Sequence, residues 1–133
     1  MGGALDLKVV GALDVDEQTV LAAQAYVFCA PENLAALSGE MKACFDRHYY
    51  AALDVVAGRP YAALIAAGTD GQGALRQLQR IATGWRLREA FAPVVLRNGA
   101  QTPEQILAEK TVDAATLAQC RECGGTLAAT LLL

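Results

Sequence analysis

The sequence predicts an α/β domain: a three-layer α/β/α sandwich built on a parallel sheet. Three features carry the prediction. Residues 25–30, 61–67 and 91–96 are continuous apolar runs of strand length, the pattern of parallel strands covered on both faces. Between them lie stretches whose apolar residues recur at three- and four-residue spacing, the stripe of an amphipathic helix. Gly, Pro and Asn mark most of the junctions, and strands that alternate with helices in this way imply parallel pairing with helices on both faces.

Taken in order, residues 1–4 read as a ragged start, and residues 5–10 (LDLKVV) alternate and end in β-branched side chains, which predicts a first strand stopped by Gly11. Residues 14–24 open with Asp14, Asp16 and Glu17, carboxylates that favour the positive end of a helix dipole, and continue into Val20 and Leu21. Residues 25–30 are apolar throughout and bounded by Pro31, so they read as a central strand with both faces covered. Pro31, Glu32 and Asn33 then form a loop, and Ser38-Gly39 leads into the next helix, where Leu37, Met41, Cys44, Phe45, His48 and Ala52 share one side.

Gly58-Arg59-Pro60 breaks that pattern, residues 61–67 (YAALIAA) form the second apolar strand, and residues 68–73 (GTDGQG) turn the chain. Residues 74–83 place Leu75, Leu78 and Ile81 on one helical face, and Gly84 is positioned to close the helix. Pro93 inside the third apolar run points to an edge or an end of the sheet. Thr102-Pro103-Glu104 starts a short helix with proline just inside its first turn, and residues 113–131 form the last helix. No repeat, low-complexity segment or interdomain linker divides residues 1–133, so a single domain is expected.

Composition narrows the function. The formal net charge of −3 is a poor match to nucleic acid, whose phosphates call for a concentrated excess of Lys and Arg. The apolar run at residues 61–67 is far below the roughly 20 residues of a membrane span, and no leader pattern opens the chain. A soluble, cytoplasmic protein without a membrane or nucleic-acid partner is expected. Four cysteines are present. Cys29 and Cys44 read as small buried hydrophobes. Cys120 and Cys123 form a C-x-x-C with no second pair to complete a zinc site, and the motif falls late in a helix, so it reads as two helix residues one turn apart. Among the remaining polar and aromatic residues, Asp46 and Arg47 read as a solvent-side charged pair rather than a substrate contact. His48 reads as a packing residue with one hydrogen-bond partner rather than a proton donor. Tyr49 and Tyr50 read as aromatics covering the sheet, and Arg76, Arg80, Arg86 and Arg88 as a solvated face rather than a dinucleotide-phosphate site.

In an open parallel sheet the functional loops leave the carboxyl ends of the strands, which singles out residues 31–39 and 68–73. Glycines at 68, 71 and 73 permit close backbone approach, and the helix N-terminus that follows directs free N–H groups at a bound anion. Their G-x-x-G-x-G spacing is not the dinucleotide fingerprint, and by itself it reads as a structural turn.

Together the two loops say more. Pro31-Glu32-Asn33, Ser38-Gly39, Lys42 and Asp46-Arg47, followed by Gly58-Arg59-Pro60 and by Gly68, Asp70, Gly71 and Gly73, closely resemble the flavodoxin-like family that includes NAD(P)H-dependent FMN and quinone reductases. The resemblance implies a sheet ordered 2-1-3-4-5 with FMN across its carboxyl edge. It implies that Pro31, Glu32, Asn33, Leu34, Ser38 and Gly39 flank the isoalloxazine ring on one side, and Gly68, Thr69, Asp70, Gly71 and Gly73 on the other. The flavin supplies the redox chemistry, so no catalytic side chain and no metal are expected. NAD(P)H is the expected electron donor, a flavin or quinone the acceptor, and a homo-oligomer the expected assembly. The alternative is a non-catalytic electron-transfer or interaction domain with weak or no flavin binding.

One departure from the family pattern qualifies the cofactor. Relatives open with a strand and a Ser/Thr/Gly-rich loop around the FMN phosphate, whereas this sequence opens near what resembles their second strand. The domain is therefore expected to be N-terminally incomplete, lacking the first strand and helix, and to hold FMN weakly. Charge-assisted hydrogen bonds to a phosphate contribute about 1.5–3 kcal/mol each, so the loss of two lowers affinity about a hundredfold or more.

Overall fold

The computed structural model describes residues 5–132; the expected ragged start at residues 1–4 lies outside them. In chain order the elements are α1 (Glu17–Ala22), β1 (Tyr26–Asn33), β2 (Ala36–Leu37), α2 (Gly39–Ala52), β3 (Pro60–Ala67), α3 (Gln72–Gly84), β4 (Arg88–Glu89), β5 (Val94–Arg97), α4 (Pro103–Leu107) and α5 (Ala114–Leu132). The sheet is built outward from β3. On one side β1 pairs with it in parallel from Tyr26↔Tyr61 to Pro31↔Ala66. On the other, β4 and then β5 pair in parallel with its first and second halves. β4 and β5 thus share one edge with a break before Pro93, where the missing N–H interrupts the ladder. The predicted run at 91–96 is shortened accordingly to Val94–Arg97.

Helices lie on both faces, as the sequence predicts, but unequally. On one face Phe45 of α2 sits between Phe28 of β1 and Trp85, with ring centroids 4.9 and 5.6 Å away and edge-to-face geometry. Ile65 and Leu78 are fully buried beside them. The other face is covered by α5, whose buried residues are Cys123 and Leu127, packed with Ala62 and Val94.

Two polar side chains anchor the segment around α1. Arg59 donates to the carbonyls of Leu21 and Ala23 at 2.6 and 2.7 Å, satisfying acceptors where α1 ends. His48 is 5% exposed and its Nε2 lies 3.0 Å from Val15 O. A carbonyl only accepts, so Nε2 carries the proton, and His48 is the packing residue with one partner that its place on the helix stripe predicts.

Several expectations change. Residues 5–10 form no strand and are exposed; a strand needs a neighbouring ladder, and no described segment pairs with them. β1 is not covered on both faces. Val27 and Cys29 are exposed, because they lie on the α5 side of the sheet and α5 packs over β3 and β5 instead. Cys29 is therefore not the buried hydrophobe its apolar run suggests. Pro31, Glu32 and Asn33 belong to β1 rather than to a loop, since Glu32 and Asn33 pair with β2. Asp46 bonds Lys42 at 2.7 Å, one turn away, while Arg47 donates to Ala12 and Val15 carbonyls. Tyr50 faces solvent instead of covering the sheet. Gly84 is the last residue of α3, and the left-handed residue beyond it is Arg86.

Two outcomes follow from this packing. Phe45→Ala removes a ring held between Phe28 and Trp85 and lowers the unfolding free energy by about 3–5 kcal/mol, measured by urea titration. Burial, and next to it the Glu89 carboxylate, push the Tyr61 hydroxyl up to about 12, and it donates to Glu89 at 3.1 Å. A tyrosine whose pKa is raised on folding stabilises the native state below its unfolded value near 10, and the contribution is lost as pH rises towards 12. Thermal melts across that range should show the loss, and Tyr61→Phe should flatten it.

Candidate functional site

The carboxyl ends of β1 and β3 bring both predicted loops together. After Asn33 the chain reverses in a two-residue turn, Leu34-Ala35, between the paired residues Asn33 and Ala36. Both turn residues have positive φ, 52° and 65°, the signature of a type I′ hairpin, which prefers Asn-Gly. Non-glycine residues in this region cost about 1–2 kcal/mol each, so the turn is held by its surroundings. Leu34 itself is fully exposed.

Those surroundings are identifiable. The Glu32 carboxylate accepts from Gly71 N at 2.9 Å and from Ala74 N at 3.1 Å, capping α3 from the neighbouring strand. A carboxylate at a helix N-terminus also gains from the helix dipole. Gln77 of α3 reaches back to accept from Leu37 N at 2.8 Å. Between these two links Gly73 lies against the turn, and a Cβ there would come within 2.1 Å of Ala35 O. Gly71 combines φ +96° with a position where a Cβ would stand 2.6 Å from Val95 Cγ1. Close approach therefore fixes glycine at both positions.

The second loop is tied to β5. Arg97 Nε donates to Asp70 O at 2.7 Å, and Gly99 N donates to Gly68 O at 2.7 Å. Asp70 accepts from Gln72 N at 3.3 Å. Beside Gly68, a depression of about 240 Å³ is lined by Asn98, Gly99, Ala100, Gln105, Ala108 and neighbours. That is below the roughly 300–1,000 Å³ of an enclosed ligand pocket.

The predicted residues occupy distinct positions along this rim. Pro31, Asn33, Leu34, Thr69 and Asp70 are exposed on it, Gly68 and Gly73 are half-buried and Gly71 is buried. Ser38 caps α2 through Met41 N at 3.4 Å, with Gly39 as the first helical residue. Glu32 has both carboxylate oxygens engaged. This narrows the expectation that the helix N-terminus after residues 68–73 offers free N–H groups to an anion, because Glu32 and Asp70 already take those of Gly71, Gln72 and Ala74 and leave that of Gly73 without an acceptor among the described residues. Gln77 and Arg97 were not among the predicted residues. Arg97 ends a strand at the same edge and was open to the same rule, whereas nothing local marks Gln77. Among the described residues, no group of three His, Cys, Asp or Glu side chains is placed to hold a metal ion.

A family model described as NADPH-dependent FMN reductase matches residues 15–101. The chain belongs to this family. Its fold is flavodoxin-like. Similar solved structures include a cysteine-to-alanine mutant of flavodoxin from Pseudomonas aeruginosa, 12% identical, with 89% of this chain and 76% of that chain covered at a TM-score of 0.64. The flavodoxin, WrbA-like protein from Agrobacterium tumefaciens is 13% identical, with 80% and 68% covered and a TM-score of 0.53. A search of curated protein sequences finds no match. For a member of the FMN reductase family, the match takes in β1, β3 and both rim loops. α5 lies beyond it.

The rim geometry sets two opposite substitution effects. Gly73→Ala drives a methyl into Ala35 O and destabilises the fold by about 1–3 kcal/mol. Ala35→Gly relieves a positive φ and stabilises it by about 0.5–1 kcal/mol. Urea unfolding midpoints of the two variants should move in opposite directions.

Proposed function

We propose that the rim formed by residues 31–35 and 68–73 receives the isoalloxazine ring of FMN, and that the protein carries out NAD(P)H-dependent reduction of a flavin or a quinone. The observation that carries the reading is a set of backbone donors. The N–H groups of Leu34, Ala35, Thr69 and Asp70 donate to no acceptor among the described residues, and they belong to two loops that Glu32 and Gln77 fasten together. Carbonyl oxygens and ring nitrogens at the polar edge of a flavin are acceptors of the matching kind. Bound there, the flavin supplies hydride and electron transfer, and the protein contributes position and electrostatics. The exposed Leu34 side chain offers apolar contact to a ring face, and Glu32 acts through the loops it holds.

The phosphate end fits less well. Of the first three N–H groups of α3, those of Gln72 and Ala74 are already taken by Asp70 and Glu32, and Arg97 is engaged with Asp70 O. This favours, as a second reading, a flavodoxin-like domain that binds flavin weakly and does not turn over.

Fluorescence titration with FMN and with riboflavin separates these readings. A ring-only site binds the two within about threefold of each other. A phosphate grip would favour FMN about a hundredfold or more, the worth of two charge-assisted contacts. NAD(P)H oxidation with saturating FMN and a quinone then tests turnover. Binding without oxidation supports the second reading, and absence of binding by either flavin removes the proposed ring site.

A further inference from the structure

The C-x-x-C motif in α5 has no part in the flavin reading, and the structure gives it a neighbour that the sequence separates from it by about ninety positions. Cys29 of β1 is in register with Leu64 of β3. Leu64 packs in the cluster beneath α5 together with Cys123 and Leu127. Cys120 lies one helical turn before Cys123, on the same i, i+3, i+7 stripe as Leu127. The sheet register and the helix stripe therefore bring Cys29 and Cys120 to one side of the molecule. Cys29 is exposed and Cys120 half-buried, so both are within reach of a small oxidant.

We propose that Cys29 and Cys120 are an oxidisable thiol pair that closes to a disulfide between β1 and α5. Electrostatics agree with the placement. Desolvation and then the charge of Cys120 push the Cys29 thiol up, and the same two causes, in the same order, raise Cys123. Cys120 thus stands within electrostatic reach of both. Among the described residues, no group of three His, Cys, Asp or Glu side chains is placed there to hold a metal ion.

With hydrogen peroxide as oxidant, the thiolate of one member of the pair attacks an oxygen of the O–O bond. An S–O bond forms, and the leaving hydroxide takes a proton to become water. The thiolate of the other member then attacks that sulfur, the S–S bond forms, and the second hydroxide takes a proton and leaves as water. Two thiols lose two electrons, and the peroxide gains them. The bond would anchor α5, whose described hold on the sheet is otherwise Cys123 and Leu127. It would also reach a strand residue two positions before Pro31, at the start of the candidate rim.

The test is a peptide map of the full chain. Reduced protein is treated with one equivalent of hydrogen peroxide, alkylated, and digested with trypsin without reduction. Cleavage at Lys8, Lys42, Arg47 and Arg121 places Cys29, Cys44, Cys120 and Cys123 in four different peptides. The expected product joins the Cys29 and Cys120 peptides within the monomer, leaves Cys44 and Cys123 alkylated, and raises the melting temperature by about 5 °C or more until dithiothreitol reverses it. Cys29→Ser should abolish both changes, and Cys44→Ser neither. A Cys120–Cys123 bond, a covalent dimer, or four alkylated thiols would each overturn the proposal, and the map on the unmodified sequence decides it even where a variant folds poorly.

Discussion

The Glu32 carboxylate, seated on two N–H groups at the start of α3, is the contact on which the candidate site depends. It joins the end of one strand to the helix that follows its neighbour, so the two loops at the carboxyl edge move as one. Unmade, it would leave two backbone donors and a half-buried carboxylate to find other partners, a cost of about 1–3 kcal/mol per group. The contact also holds the Leu34-Ala35 turn against Gly73, and so sustains two non-glycine residues at positive φ that an isolated hairpin would relax. Local strain of this kind persists where neighbouring structure over-determines the backbone, and here the neighbouring structure is α3.

Behind the rim, the sheet is asymmetric. β3 is bonded on both edges and covered on both faces, which makes it the rigid reference for everything around it. β1 is bonded to β3 along one edge and to β2 only at its last two residues. Its Val27 and Cys29 remain open on the α5 side. The aromatic group of Phe28, Phe45 and Trp85 gives one face its packing density, whereas α5 holds the other with two buried side chains. A covalent link from Cys120 to β1 would act on the less firmly held layer.

In the proposed flavin site, backbone groups rather than side-chain acids or bases would meet the ring. Free amides on two locked loops suit the polar edge of a planar ring. The helix dipole, the other common device for anion binding at such an edge, is already matched by an internal carboxylate. No helix among the described residues is long and apolar enough to cross a membrane.

Much of this was legible in the sequence. The apolar run before Pro31, the run at residues 61–67 and the glycines at 71 and 73 gave the parallel core, its carboxyl edge and the two loops, because strand burial and close backbone approach leave local signatures. Ser38, Thr102 and Pro103 likewise marked helix starts through caps that act over three residues. The pairing of distant elements was not legible. LDLKVV has the alternation of a strand, yet it forms none, because a strand exists only beside a partner and none is described there. Glu32 read as a ring contact, and only the approach of α3 made it a helix cap, while the same approach gave Gln77 a role that nothing local signals. Cys29 read as buried because its neighbours in sequence are apolar, but exposure depends on which helix covers which strand. Local chemistry fixed what each segment prefers to be, and the tertiary structure decided which donors, carboxylates and thiols met, because those contacts join residues separated by about forty to ninety positions whose proximity no local pattern encodes.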